Sequence, residues 1–341
     1  MIGGAVRLEV KGAVDAVLVV VVQNIVGAAD NARRASRAQP RSYDFREEFI
    51  PIRLLCAHEF TLCQLPFRFR IYSVPVPCLA MPEILEVESY RALAERVVGA
   101  RISRGFSDQY AAKKLPSTSF WSRSIKGLTV TGTDRRGKLM LLETDGMRLG
   151  MRFGMTGVLL LDSDAGIDGL FYGPHTYRAS WIRAGIEFED GRKLVLHDPR
   201  RLGRVEVDPD LSELGPDALR IKRKEFDQVL HIKRGEGPAL KARLLDQSVV
   251  AGVGNLLGDE MMFRAGIDPR RGTATLTLVE RDDLFKAWTQ TMKTLQRRGG
   301  SHTGDHMEGR FPGGVCPRDG GEMRSATIGG RTTYWCSVHQ H

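Results

Sequence analysis

Apolar positions along this chain change their spacing several times, and each change marks a module. Between residues 86 and 98, Val87, Tyr90, Leu93, Ala94 and Val97 recur at helical spacing and Gly99 closes the run, which predicts one amphipathic helix. Pro82 and Glu83 stand just ahead of it, a proline and an acid suited to a helix's first turn and its positive end. Short β-like runs follow at 128–133, 138–143, 157–161, 181–187 and 193–196, separated by Gly-rich or Asp-Gly turns. Strands of that length and spacing predict a sandwich or barrel. Past Asp208 helical spacing returns after a linker at 211–216, and past Arg298 the chain becomes Gly-rich. The reading is therefore an α+β protein with a β-rich domain at 82–208, a helical domain at 209–300 and a small C-terminal module at 301–341.

The first 81 residues do not share this order. Their apolar run at 14–22 is interrupted by Asp15 and followed by Gln23-Asn24, which is too short and too polar for a membrane span. Arg7 and Lys11 before the run, with Gly27-Ala28-Ala29 after it, also fit a secretory signal. Residues 33–66 mix Arg, Pro and isolated apolar positions without a sustained period. The preferred reading is a mis-assigned start, with Met81 as the first residue; a processed or disordered extension is the alternative. The distinction matters chemically, because loss of Met81 would leave Pro82 as a free secondary amine. An α-amino group titrates near pH ~8 and is a usable nucleophile at neutral pH, whereas the same nitrogen in mid-chain is an inert amide.

Composition narrows the function class. The chain has 341 residues, 42% of them hydrophobic, enough for two or three domains with cores of their own. Its net charge of +9 suits a polyanionic partner, since clustered Lys and Arg release counterions from phosphates. Of five cysteines only Cys316 and Cys336 lie beyond Met81, which argues against a disulfide scaffold and for a reducing, cytoplasmic setting with one local cysteine site.

Two segments carry candidate chemistry. At 244–260, small residues and glycines around Gly252-Val253-Gly254-Asn255 separate two apolar helical stretches, a helix, two turns and a helix, in which backbone amides and Asn255 can approach a phosphate. The glycine spacing is not that of a dinucleotide or P-loop fingerprint, so no nucleotide or redox cofactor is expected. Near the C-terminus, Cys316-Pro317-Arg318-Asp319 and Cys336-Ser337-Val338-His339 form two i, i+3 pairs flanking a predicted hairpin at 323–334, the spacing of a tetrahedral zinc ribbon. Cys316, Cys336 and His339 are ordinary zinc ligands; the fourth place is open to Asp319, to His341, His302 or His306, or the ribbon folds without metal. Arg331 would lie at the hairpin tip, placed to clamp a phosphate.

Taken with Arg136-Gly137-Lys138, Gly154-Met155-Thr156-Gly157, Pro174-His175 and Asp198-Pro199-Arg200-Arg201, these motifs resemble, in order, those of the formamidopyrimidine-DNA glycosylase and endonuclease VIII family of base-excision repair enzymes, from Pro82 to about Gln340. The resemblance implies an N-terminal β-sandwich flanked by helices, a helix-two-turn-helix domain and a C-terminal zinc-finger-like β-hairpin, with double-stranded DNA in the cleft. It implies Pro82 as nucleophile, Glu83 as proton shuttle, and Lys138 and Arg331 as phosphate contacts assisting the transfers. Arg152, His175, Lys241 and Asn255 are implied DNA contacts, and Met155, Arg200 and Leu202 the residues that fill the void left by a flipped nucleotide. Cys316, Asp319, Cys336 and His339 are the expected zinc ligands. The implied partner is DNA with damaged bases or abasic sites, bound by a monomer without a membrane.

Three departures qualify this. Leu202 stands where a Phe is common, Arg152 where a His is common, and the 299–315 stretch is too short for the loop that covers a flipped 8-oxoguanine. The expectation therefore leans to abasic sites, formamidopyrimidines or oxidised pyrimidines. If residues 1–81 are retained, the same scaffold would instead be a non-catalytic binder of kinked or damaged DNA.

Overall fold

The computed structural model describes residues 82–167 and 177–341; the expected extension at 1–81, with its apolar run, and His175 lie outside the described residues. In chain order the elements are helix α1 (Ile84–Ala94), strand β1 (Ile102–Ser107), helix α2 (Thr118–Ile125), and strands β2 (Val130–Arg136), β3 (Leu139–Thr144), β4 (Arg148–Arg152), β5 (Val158–Leu161), β6 (Asp164–Ala165), β7 (Ile182–Phe188), β8 (Lys193–His197) and β9 (Arg204–Val207). Helices α3 (Arg223–Leu230), α4 (Leu240–Leu245), α5 (Asn255–Ala265) and α6 (Leu278–Arg298) follow, then a hairpin of β10 (Met323–Ile328) and β11 (Arg331–Cys336).

The β-rich module is a sandwich. One antiparallel sheet has the order β1-β7-β8-β5-β6 and the other β2-β3-β4-β9. Their inner faces meet in one core, where Met140, Leu142, Leu149, Met151 and Val205 of the second sheet pack with Leu159, Leu161, Ala184, Ile186, Leu194 and Leu196 of the first. Strand β3 buries Leu139, Met140, Leu141 and Leu142 in succession, so its sequence shows a continuous apolar run rather than an alternation.

Helix α1 belongs to two cores. Val87, Tyr90, Leu93 and Ala94 enter the sandwich core, whereas Ile84 and Leu85 are buried with Phe226, Leu244, Val253, Leu257, Trp288 and Met292 of the helical module. A third, smaller cluster joins Phe263 of α5 to Cys316, Met323 and Cys336 at the base of the hairpin. Among the described residues no helix is long and apolar enough to cross a membrane.

Several expected boundaries move for local reasons. The helix expected at 86–98 starts at Ile84 and tightens into a 3-10 turn at Glu95–Val97. Trp181 belongs to a 3-10 turn, Ala179–Trp181, rather than to the strand after it. Strands β1, β4 and β9 and helix α2 were not anticipated: β1 and β4 carry mixed polar and small residues, and α2 is a short amphipathic piece whose Trp121 and Ile125 alone are buried. The C-terminal hairpin runs to Cys336, and its tip is Gly329-Gly330, with φ of +57° and +72° as a two-residue hairpin turn requires. Arg331 is thus the first residue after the tip and pairs with Ile328.

Candidate active site

Pro82 and Glu83 are both buried at the start of α1, where Glu83 is the N-cap. The Glu83 backbone N–H donates to Glu86 Oε2 at 2.8 Å, so the entry to the helix is held by the acid three residues on. The Glu83 side chain turns instead toward the start of α5. Its carboxylate accepts from the backbone amides of Gly254 (2.8 Å), Leu256 (2.8 Å) and Leu257 (3.2 Å), donors that the first turn of a helix leaves free. Gly254 has to be glycine for this: a Cβ there would lie 2.3 Å from Glu83 Cδ. Burial pushes the Glu83 carboxyl up to about 6, opposed by Lys138, reinforced by Glu86, and lowered again by the Leu256 and Leu257 amides.

Lys138 lies in the two-residue turn between β2 and β3, since Arg136 pairs directly with Leu139. Gly137 precedes it with φ +57°, and a Cβ there would lie 2.8 Å from that of Ala251, so the turn is pressed against the segment leading into α5. Burial lowers the Lys138 pKa, while Glu83 and Glu86 hold it up and Arg331 pushes it down. Pro82, Glu83, Lys138 and Arg331 therefore gather about the N-terminus of α5. Asn255, the first residue of α5, donates through Nδ2 to the Thr332 carbonyl at 3.3 Å and fastens the start of β11 to the same point.

The groups that hold this gathering were not singled out from sequence. Arg135, 1% exposed, reaches Asp217 at 2.6 Å and Glu88 at 2.9 Å, and Asp217 also accepts from the Gly137 amide at 2.8 Å. The turn bearing Lys138 is thus tied to the helical module by a residue beside the expected linker. Gln247 closes the two turns before α5: its Nε2 donates to the Leu245 and Val253 carbonyls, and its Oε1 accepts from Gly252. Glu86 Oε1 accepts from the backbone and hydroxyl of Ser301, at 2.6 and 2.8 Å, so the short stretch after α6 is fastened onto α1.

The expected void-filling residues lie on two loops that touch. Met155 is partly exposed in the turn before β5 and is not part of the sandwich core; Arg200 and Leu202 are exposed in the loop from β8 to β9, Leu202 by 36%. Arg152 is engaged with Glu206 at 3.0 Å on the neighbouring strand.

Lys241 departs from the expectation of a DNA contact. It is fully buried, with its ammonium 2.5 Å from Asp259 and donating to Thr333 Oγ1 at 2.6 Å. Arg310 joins Asp259 from the other side at 3.2 Å and donates to the Thr332 carbonyl. Burial of a long cation is stable only with a partner of opposite charge, and Asp259, one turn into α5, supplies it. Lys241 therefore anchors the hairpin from inside.

In the C-terminal module Cys316, Asp319, Cys336 and His339 bring one ligand atom each within 4.8 Å of one another, whereas His302, His306 and His341 are not in this group. Cys316 Sγ is 3.6 Å from His339 Nδ1, and Cys336 Sγ is 3.3 Å from Asp319 Oδ1. Tetrahedral zinc, with bonds of roughly 2.0 to 2.3 Å, sets its ligand atoms roughly 3 to 4 Å apart, so the donor set fits. His339 Nε2 faces the Phe263 carbonyl at 3.2 Å; a proton held there leaves the Nδ1 lone pair for a metal. Both thiols are unbridged.

Comparison with known proteins agrees with this architecture. Residues 81–205 match the model of the formamidopyrimidine-DNA glycosylase N-terminal domain, and residues 214–306 match that of the formamidopyrimidine-DNA glycosylase H2TH domain. A formamidopyrimidine-DNA glycosylase of Rhodopseudomonas palustris is 32% identical over 291 residues, covering 75% of this chain and 98% of the relative. One from Laribacter hongkongensis is 32% identical over 286 residues, covering 76% and 100%. Among solved structures, MutM in complex with carbocyclic 8-oxo-G containing DNA is similar at TM-score 0.62 and 25% identity, covering 76% of this chain and all of that one. A Lactococcus lactis Fpg (MutM) complex with oxidized-pyrimidine-containing DNA is similar at TM-score 0.62, 26% identity and the same coverage. The two domain models, the relatives matched over nearly their whole length and the shared fold together place this chain in the formamidopyrimidine-DNA glycosylase family.

Proposed function

We propose that the chain acts as a bifunctional DNA glycosylase and abasic-site lyase of base-excision repair, with Pro82 as the reacting amine once the polypeptide begins there. The observation that carries this is the Glu83 carboxyl, adjacent to Pro82, buried against the amides that open α5 and accompanied by Lys138. A flipped damaged base would expose the sugar C1′ to the Pro82 nitrogen. Attack there forms a C–N bond as the C1′–base bond breaks, and a carboxyl able to hold or release its proton near neutral pH assists ring opening and the later transfers. The resulting iminium acidifies the adjacent sugar carbon, so proton loss and expulsion of the 3′ and then the 5′ phosphate follow. Lys138, Asn255 and Arg331 are the proposed phosphate holders, joined by Arg152; the resemblance adds His175 to them.

Lesions that need no covering loop suit this site. The stretch after α6 is bonded to Glu86 through Ser301, which supports abasic sites, formamidopyrimidines and oxidised pyrimidines ahead of 8-oxoguanine.

One zinc ion is proposed on Cys316, Asp319, Cys336 and His339, where it would fold the finger and take no part in bond breaking.

Borohydride trapping on abasic-site DNA tests the chemistry. Protein beginning at Pro82 is expected to give a covalent adduct that Pro82→Gly with an acetylated N-terminus abolishes, and protein with residues 1–81 intact is expected to give none. Tight binding without an adduct from either form would replace the enzyme by a binder of damaged DNA.

A further inference from the structure

We infer that Asp198 is a positioning residue that locks the two void-filling loops into a single rigid wedge. Its carboxylate is completely buried and accepts four hydrogen bonds: from Thr156 Oγ1 at 2.6 Å, and from the backbone amides of Arg200 (3.1 Å), Leu202 (2.7 Å) and Gly203 (2.7 Å). Three of these donors shape its own loop. The fourth belongs to the other loop, 42 residues away, immediately after Met155.

The two loops are also in direct contact. Gly154 adopts φ +61°, and a Cβ there would lie 2.6 Å from the Leu202 Cβ, so the backbone of one loop forms the floor beneath the apolar side chain of the other. Behind Asp198, Arg183 donates to its carbonyl at 2.6 Å and faces Asp108 at 3.7 Å. Asp108 in turn accepts from the Tyr110 and Ala111 amides, and the Arg201 guanidinium lies over the Tyr110 ring at 4.8 Å. Arg201 itself has φ +58°, an uncommon conformation for a non-glycine residue, so the loop is held rather than relaxed.

A wedge has to displace stacked bases, and each side chain that must be ordered on insertion costs affinity. With Asp198 in place Met155, Arg200 and Leu202 are presented together on backbone already fixed. Asp198 touches no DNA in this role; it acts through the loops. The inference rests on the reading of Met155, Arg200 and Leu202 as void-filling residues.

The test is independent of the amine chemistry. The full chain, Asp198→Asn, Thr156→Val and Leu202→Ala would each be titrated onto a duplex carrying an uncleavable tetrahydrofuran abasic analogue with 2-aminopurine opposite it, and onto the lesion strand alone. Only the duplex has a stack to enter and an orphaned base to support. Asp198→Asn, which turns one acceptor oxygen into a donor, is expected to weaken duplex binding by about tenfold and to reduce the 2-aminopurine response at saturation. Single-strand affinity should stay within about twofold, and Thr156→Val should show the same selectivity with a smaller loss. Equal losses on both substrates, or none on either, would overturn the inference. Should Asp198→Asn fail to fold, Thr156→Val decides by the same comparison. If Leu202→Ala lacks a duplex-selective loss, the void-filling reading itself fails; if Leu202→Ala shows it and the Asp198 and Thr156 variants do not, only the inference fails.

Discussion

Glu83 is subject to opposing influences. Burial raises its pKa to about 6, yet Lys138 and the Leu256 and Leu257 amides favour the charged form, leaving a carboxyl that changes state near neutrality. Proton donation needs Glu83 protonated, a fraction that declines above about pH 6. Attack needs Pro82 neutral, a fraction that grows up to about pH 8. For protein beginning at Pro82, kcat/KM is therefore expected to rise to a break near pH 6, run level, and fall beyond about pH 8. Glu83→Gln should lower it by about 10²-fold or more and remove the break near 6. A break that survives the substitution would belong to another group. Stability has a linked sign: with the folded value near 6 above the ordinary 4.5, folding holds an extra proton between them. Glu83's contribution is thus fully present below pH 4.5 and lost as pH rises through 6. Pro82, Glu83 and Lys138 were all singled out from sequence because each sits in a short motif. Asp198 stood in such a motif without a role, since its fourth donor, Thr156, is remote in the chain.

At the scale of elements, the turn that carries Lys138 has no hydrophobic face of its own and depends on Arg135 and Asp217. Both side chains are almost completely buried, and their contact at 2.6 Å joins a strand of the sandwich to the helical module. Asp217→Ala would leave the Arg135 guanidinium buried beside Glu88 alone. Removing one partner of a buried ion pair costs about 3–5 kcal/mol, so chemical denaturation should show a loss of that order. A loss under about 1 kcal/mol would mean the turn is held otherwise. The strands with apolar runs were legible from the sequence, as were the two turns before α5, because their glycines meet a local steric demand. Strands β1 and β4 were not, since each is a short mix of polar and small residues with neither a clear alternation nor a long apolar run. Nor was the interior place of Lys241, whose anchor Asp259 is 18 residues on and whose other partner, Thr333, lies in the next module.

Across the whole molecule, the C-terminal hairpin is attached at two ends by different chemistry. Its base meets the proposed metal ligands, while its tip end, at Thr332 and Thr333, is held by Lys241, Asp259 and Arg310 against α5. Chelation of a zinc-loaded sample should therefore loosen one end and spare the other. Amide hydrogen exchange is expected to speed up at 314–321 and 336–341 and to remain slow at 332–334. Acceleration throughout the hairpin would show that the metal alone sets its position. The α+β class was readable from changes in apolar spacing, whereas the attachment of the modules was not, because it is made by single charged residues far apart in sequence.

Helix α1 has one further consequence. Its first residues, Ile84 and Leu85, belong to the helical core and the rest of the helix to the sandwich core. Any swing of one module against the other as a duplex is bent between them therefore has its fulcrum at this helix. Displacement grows with distance from a fulcrum, so the parts of each module farthest from α1 move most. Pro82 and Glu83, next to the pivot, move least, which suits a pair proposed to act on one sugar while the strand around it is drawn into shape.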